Sequence, residues 1–399
     1  MNQKSFFDDS EVPMNLLRQR AYNLRWAMQP ADVIVLTAAD PDFPVAPAIR
    51  EALQDYISGG IFSYGPAEGL PEFRQACAKV TTQRKGYACT AHQILAVDSA
   101  AAGMMHIARL TIQPGDEAIV FDPVDFLFKA SVEAAGGRVK LLPVDPDTGI
   151  FDFEKLPELL TPRTKLLGVC NPINPVGRIL TREELELLGN FAVENNLWIL
   201  NDEIWSDIIF SGQTFISLPS ISSEIAARTF TVHGFSKTFG LAGLRVGFVI
   251  CPTPEAFESL TVVSAARTTM TGVSTLSQVA ATAAYEHGWD WAEQFVRHLE
   301  SLRDLGVQKF SQLEGVSVLA PQGTYVLFPN FTAWNLPMEQ VCDTLLKKYK
   351  VATVPGAARW FGPGAEGHLR VVFSTSREIF EEGLNRVIHG LTEIRKSTC

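Results

Sequence analysis

Four short apolar runs in this 399-residue chain are each followed at once by side chains that can do chemistry. After QILAV comes Asp98-Ser99-Ala100-Ala101-Ala102-Gly103, and after KLLGVC comes Asn171-Pro172-Ile173-Asn174-Pro175-Val176-Gly177. After LWIL comes Asn201-Asp202-Glu203, and after TFTVH comes Gly234-Phe235-Ser236-Lys237-Thr238-Phe239-Gly240, with Gly243-Leu244-Arg245 close behind. In an open α/β sheet, ligands bind beyond the carboxyl ends of the strands, so these residues converge on one sheet edge. The Ser99 turn offers a helix N-terminus and small residues to a phosphate, although an ordinary capped strand-to-helix turn reads the same way. The two Asn-Pro steps exclude regular structure from their run. A lysine beside an acid and a phosphate nest suits pyridoxal phosphate. The amine forms a Schiff base with the aldehyde, a carboxylate keeps the pyridine nitrogen protonated, and arginine with a helix N-terminus holds the phosphate.

The elements that must position these residues follow from the pattern. Strands are predicted at 93–97, 117–121, 138–144, 165–170, 197–201, 229–233 and 245–251, alternating with helical segments, which implies an α/β fold with one large, mostly parallel sheet. Thr181 followed by Glu184 is a capping box that opens a helix, and Asn195 with Asn196 closes it. Beyond this region the pattern predicts a long helix at 288–313, a strand pair around VSVLAPQGTYVLF, a helix at 338–350, a strand at HLRVVFS and a final helix from about 377, hence a second, smaller α+β domain. Pro41, Pro44 and Pro47 interrupt the first segment. The expected division is an N-terminal arm over 1–50 that contributes to the small domain, a large domain over 51–285 and a small one over 286–399.

Composition narrows the function. With 46% hydrophobic and 20% charged residues the chain can bury a sizeable core, which excludes disordered and fibrous classes. A net charge of −10 and no Lys/Arg-rich run with interleaved aromatics argue against a nucleic-acid partner. No apolar stretch approaches a membrane span, and Asp8, Asp9 and Glu11 stand where a signal peptide would be basic and then apolar, so a cytoplasmic location is expected. The six cysteines (Cys77, Cys89, Cys170, Cys251, Cys342 and Cys399) show no pairing pattern and no C-x-x-C, and no histidine pair suggests a metal.

Taken together, Tyr64-Gly65-x-x-x-Gly69-x-x-x-Phe73-Arg74, the Asn171 to Gly177 run, Asp202-Glu203-Ile204-Trp205, Ser236-Lys237-Thr238-Phe239-Gly240 with Gly243-Leu244-Arg245-x-Gly247, and His368-Leu369-Arg370 resemble the class I/II aminotransferases of fold type I. The resemblance covers nearly the whole chain in order and spacing. The segments Ala38-Ala39-Asp40-Pro41-Asp42-Phe43-Pro44 and Phe62-Ser63-Tyr64 are also similar to the cystathionine β-lyase-type carbon-sulfur lyases. The resemblance implies that Lys237 is the Schiff-base lysine and the base that moves the substrate's Cα proton. It implies that Asp202 pairs with the pyridine nitrogen through a depressed pKa, and that Asn174 donates to the ring O3′. Ser99, Ala100, Ala101, Ser236 and Arg245 would hold the phosphate, with Tyr64 reaching it from the neighbouring subunit of a homodimer. Arg370 would grip the substrate α-carboxylate, with Ala39 and Asn174 beside it.

The sequence also departs from the family. The aromatic that stacks on the ring falls on Asp125, so either Phe126 or Phe128 takes that role by a local shift or a carboxylate sits above the ring. Trp205 replaces a common tyrosine; its indole N–H can donate to O3′ but cannot act as acid or base. Gly234 replaces a common serine. Arg267 aligns with an arginine that binds a distal substrate carboxylate across the dimer interface, and a solvated or interface-pairing arginine is the alternative. His233 ends a strand near the lysine and is a candidate for support of the site. Gly362-Pro363-Gly364-Ala365-Glu366-Gly367 matches G-x-G-x-x-G but precedes a strand, and so reads as a turn. The expected activity is transfer of an amino group between an amino acid and a 2-oxo acid. A pyridoxal phosphate-dependent β-lyase is the alternative, and a non-catalytic regulator is disfavoured because the fold fills the chain.

Overall fold

The computed structural model describes residues 5–398, and within them the seven apolar runs form one sheet. A short β1 (Ile34–Val35) precedes its strands, which are β2 (Ile94–Val97), β3 (Glu117–Asp122), β4 (Arg138–Pro143), β5 (Thr164–Cys170), β6 (Trp198–Asp202), β7 (Thr229–Gly234) and β8 (Gly247–Ile250). The order across the sheet is β2-β8-β7-β6-β5-β3-β4, parallel except that β8 runs antiparallel to both neighbours. Six of the seven are buried throughout or nearly so, as continuous Val/Ile/Leu runs require when helices cover both faces; β4, on the edge, is the exception. The capping box forms as expected: Thr181 Oγ1 accepts the Glu184 N–H at 3.2 Å, and the Glu184 carboxylate accepts the Thr181 N–H at 2.8 Å, opening helix Arg182–Glu194.

The C-terminal part holds β9 (Val326–Leu327), β10 (Val351–Ala352), β11 (Val354–Pro355) and β12 (Leu369–Val372). The last two and β9 form a small antiparallel sheet in the order β11-β12-β9, which helices Trp289–Ser311 and Arg377–Thr398 accompany in the same part of the fold. β1 pairs in parallel with β10, tying the N-terminal arm to this part of the fold. The strand pair expected at VSVLAPQGTYVLF is not built. Only Val326–Leu327 is strand, and Ser317 makes a single bridge to Asn330. Pro321, which lacks an N–H to donate, and Gly323 interrupt the segment. Gly323 passes so near the Ile208 carbonyl that a Cβ would stand 2.7 Å from it.

Candidate active site

The carboxyl ends of β2, β5, β6 and β7 open onto a cavity of about 360 Å³. Its wall is made by turns the strands deliver. Ser99 ends the turn after β2 as the N-cap of helix Ala100–Thr111; its Oγ accepts the Ala102 N–H at 3.0 Å and a bond from Arg245 Nη2 at 3.0 Å. Gly247 lets β8 pass under this turn, since a Cβ there would lie 2.9 Å from the Ala100 nitrogen and 2.7 Å from the His233 carbonyl. Arg245 takes a left-handed backbone (φ 51°) as the chain turns into β8. Ser99, Ala100, Ala101, Ser236 and Arg245 line the cavity together with Asn174, Asp202, Trp205 and Lys237, and Ala39, Phe126 and Arg370 complete the enclosure.

Lys237 Nζ donates to the Ala39 carbonyl at 2.8 Å and stands 5.1 Å from the Trp205 ring centroid. Burial lowers its pKa, with the Asp40, Asp125 and Asp202 carboxylates opposing that shift. Asp202 Oδ1 accepts the Ile204 N–H at 3.0 Å. The sequence led us to expect a depressed pKa at Asp202, whereas here it is pushed up to about 7. Burial is the main cause and the Asp125 and Glu203 carboxylates add to it, outweighing Lys237 and the Ile204 N–H. A cation brought against this carboxylate by a ligand would pull it back down. Arg370, on β12, donates to the Thr37 carbonyl at 3.1 Å and lies 4.9 Å from the Phe361 ring centroid.

A second group of buried residues holds the floor in place. Lys85 Nζ pairs with Asp207 and donates to Ser206 Oγ at 2.7 Å; Ser206 Oγ lies 3.0 Å from His233 Nε2. Burial lowers the His233 pKa to about 4, so the ring is neutral, stacked on Phe248 and accepting the Gly234 N–H through Nδ1 at 3.1 Å. His233 therefore supports the strand that delivers Lys237 and does not line the cavity. On the opposite side Arg25 pairs with Asp42 and donates to the Ala38 carbonyl at 2.8 Å, fixing the arm segment that carries Ala39.

Two of the sequence candidates lie outside the cavity of their own chain. Tyr64 is 91% exposed, and Arg267 is on the surface, its guanidinium bonded to both Glu258 oxygens and to Glu68 at 2.8 Å. Phe128 is excluded from stacking on a ligand because it packs beneath the sheet, where a Cβ on Gly168 would meet it at 2.7 Å. Phe126 does line the cavity and meets Trp360 edge to face at 5.6 Å. Sequence reasoning missed Trp360 and Tyr325. The latter's hydroxyl donates to the Ala39 carbonyl at 3.2 Å, the same oxygen that receives Lys237. Tyr325 lies in the segment read as a strand pair, which gave no signal that it turns back to the site.

The donor set fits pyridoxal phosphate on the structure's own terms. Asn174 Oδ1 and Arg370 Nε are buried without a partner, Asp202 is a buried carboxylate raised by burial, and a helix N-terminus with Arg245 makes a cradle for an anion. Comparison with known proteins agrees. The family described as aminotransferase class I and II matches residues 31–387. An aspartate aminotransferase of Streptomyces avermitilis is 31% identical over 91% of this chain and 90% of its own length. The crystal structure of an aromatic aminotransferase from Pyrococcus horikoshii is 28% identical with a TM-score of 0.85, over 92% of this chain and 97% of that one. A pyridoxal phosphate-bound protein of Clostridium difficile 630 is 28% identical with a TM-score of 0.86, over 94% and 97%.

Proposed function

The chain belongs to the class I and II aminotransferases, and from that premise we propose the part that each residue of the cavity plays. The enzyme is a pyridoxal phosphate-dependent aminotransferase acting on amino acids and 2-oxo acids. When bound, the cofactor supplies an aldehyde that condenses with amines and a ring that accepts the electron pair left when a proton leaves the substrate's Cα. Lys237 Nζ would hold that aldehyde, and as a free amine it would carry the proton away from the substrate's Cα. Burial favours this role, because it lowers the amine's pKa toward the range in which a neutral base is available. Asp202 would hold a proton on the ring nitrogen, and Asn174 Nδ2, which gives one N–H to Asp125 at 2.8 Å, would give its other to the ring's hydroxyl oxygen. Ser99, Ala100, Ala101, Ser236 and Arg245 would bind the phosphate, and Phe126 and Trp205 line the space open to the ring. Arg370 orients the substrate by a forked pair with its α-carboxylate, beside Ala39 and Asn174.

The single observation that carries these roles is the meeting of Lys237, Asp202, Asn174, Arg245 and Arg370 in one cavity, although they come from positions spread over nearly 200 residues of sequence. Borohydride reduction of the cofactor-loaded enzyme, followed by peptide mapping, tests them. A cofactor adduct on Lys237, absent from Lys237→Ala, is expected, and an adduct on any other lysine would overturn the assignment.

We also read the enzyme as a homodimer with shared sites. Ile61, Phe62, Tyr64, Val262 and Met270 are large apolar or aromatic side chains at 60–91% exposure, an expanse that supports burial against a second copy. Tyr64 would then reach the neighbour's phosphate, and Arg267, held by Glu258 and Glu68, would belong to the interface. A cytoplasmic location is supported by free thiols at all five described cysteines; Cys399 lies outside the described residues. Among the described residues no helix is long and apolar enough to cross a membrane.

A further inference from the structure

Six charged residues line the cavity: Asp98, Asp125, Asp202, Lys237, Arg245 and Arg370. Five of them are accounted for by the roles above, because Asp98 sits at the rim 3.9 Å from Arg245 and the other four meet the cofactor or the substrate's α-carboxylate. Asp125 is left over. It occupies the position where the resembled family places an aromatic ring. It lines the cavity just beyond the end of β3, next to Phe126, which meets Trp360, and its carboxyl is close enough to Arg370 and Lys237 to feel both charges. One of its oxygens accepts the Leu127 N–H at 3.1 Å and the other accepts Asn174 Nδ2 at 2.8 Å, and it has no ion-pair partner among the described residues. Each carboxylate oxygen keeps a second lone pair after these bonds, so the group can accept a further donor.

We propose that Asp125 sets the substrate class of this enzyme, selecting amino acids whose side chain ends in a cation and rejecting those that end in a carboxylate. The inference rests on the aminotransferase roles given above. With those roles filled, the lining that this chain supplies to its cavity holds one uncommitted acid and no uncommitted base. A distal ammonium or guanidinium finds a charge-assisted partner in Asp125, whereas a distal carboxylate finds only repulsion. Arg267, the one cation that sequence alignment offered to a distal carboxylate, is bonded to Glu258 and Glu68 on the outside. The aromatic faces of Phe126 and Trp360 suit the methylene stem of such a side chain and, for a guanidinium, its plane. Burial is the largest effect and raises the Asp125 carboxyl pKa; Leu127, Arg370, Lys237 and Asn174 oppose the rise without cancelling it, and a ligand's cation would oppose it further.

Two readouts on the cofactor-loaded enzyme test this. The first is kcat/KM with pyruvate as acceptor for L-lysine, L-arginine, L-norleucine and L-glutamate, in the wild type and in Asp125→Asn, which keeps an oxygen for the Leu127 N–H. Norleucine is the uncharged near-isostere of lysine. The second is the dissociation constant, by calorimetry, of 6-aminohexanoate, hexanoate and adipate, none of which has an α-amino group to transfer. The wild type should prefer lysine or arginine to glutamate and should bind 6-aminohexanoate more tightly than adipate, each by roughly tenfold or more. Asp125→Asn should lose roughly tenfold to a hundredfold on the cationic compounds, as expected for one charge-assisted bond, and little on norleucine and hexanoate. Glutamate used faster than lysine, or equal losses on lysine and norleucine, would overturn the substrate assignment and leave the aminotransferase roles standing. Absence of nitrogen transfer from every donor would overturn those roles and this inference with them.

Discussion

Replacing Asp202 by Asn should stabilise the empty protein and weaken the loaded one, with a pH dependence fixed in sign by the structure. Burial raises the carboxyl pKa from 3.8 to about 7, so the folded state holds the proton more tightly than the unfolded chain. Below about pH 4 both states are protonated and nothing is lost. As pH rises from about 4 to about 7, the unfolded chain releases its proton first and wild-type stability falls. Above about 7 the loss is complete and constant. A shift of roughly three units at 1.36 kcal/mol per unit sets a ceiling of about 4 kcal/mol. Joint titration with Asp125 and local relaxation bring the expected loss to about 2 kcal/mol. Asn does not titrate. Urea unfolding of the apoprotein, followed by tryptophan fluorescence, should therefore show a gap in favour of Asp202→Asn that is small at about pH 4 and reaches about 2 kcal/mol at about pH 8. With pyridoxal phosphate bound the sign reverses, because the variant offers the ring nitrogen no counter-ion, and its cofactor dissociation constant should rise at least tenfold. A gap that is equal at the two pH values, or that closes as pH rises, would refute the reasoning.

Other consequences are more direct. Lys85→Met leaves Asp207 charged, buried and unpaired, and should cost about 3–5 kcal/mol in chemical unfolding, much of which Asp207→Leu in the same chain should restore. Arg370→Lys loses the forked geometry while keeping the charge. The expected result in steady-state kinetics is a KM for the amino donor raised roughly tenfold or more, with cofactor absorbance unchanged. Tyr64→Phe and Lys237→Ala subunits, each impaired alone, should regain activity when mixed, because a mixed dimer contains one site with both native residues; no regain would contradict shared sites.

Much of this was legible because strand ends are informative. The strands of the large sheet start and stop within about two residues of their apolar runs, since all but the edge strand β4 are buried on both faces and end where a polar residue must leave the core. That placed Asp202, Lys237 and Arg245 correctly on one edge. Contacts between distant segments were not legible. Lys85 meets Asp207 across 122 residues, and Arg267 meets Glu258 on a surface that local pattern does not describe. The depressed Asp202 pKa was expected for an ion pair with the ring nitrogen; the sequence did not show that burial, with the Asp125 and Glu203 charges, raises it when it faces only this chain's own groups. Tyr325 was hidden by a segment whose apolar residues resembled a strand, although Pro321 and Gly323 break it.

The central claim is nitrogen transfer, and the most direct measurement follows that atom. The enzyme, loaded with pyridoxal phosphate, is incubated with ¹⁵N-labelled amino acids and unlabelled 2-oxo acids, including 2-oxoglutarate and pyruvate, and in parallel with cystathionine. The account predicts label in the amino acid formed from the oxo acid, loss of that transfer in Lys237→Ala, and little free ammonia. Release of pyruvate and ammonia from cystathionine, with no label reaching any oxo acid, would contradict it.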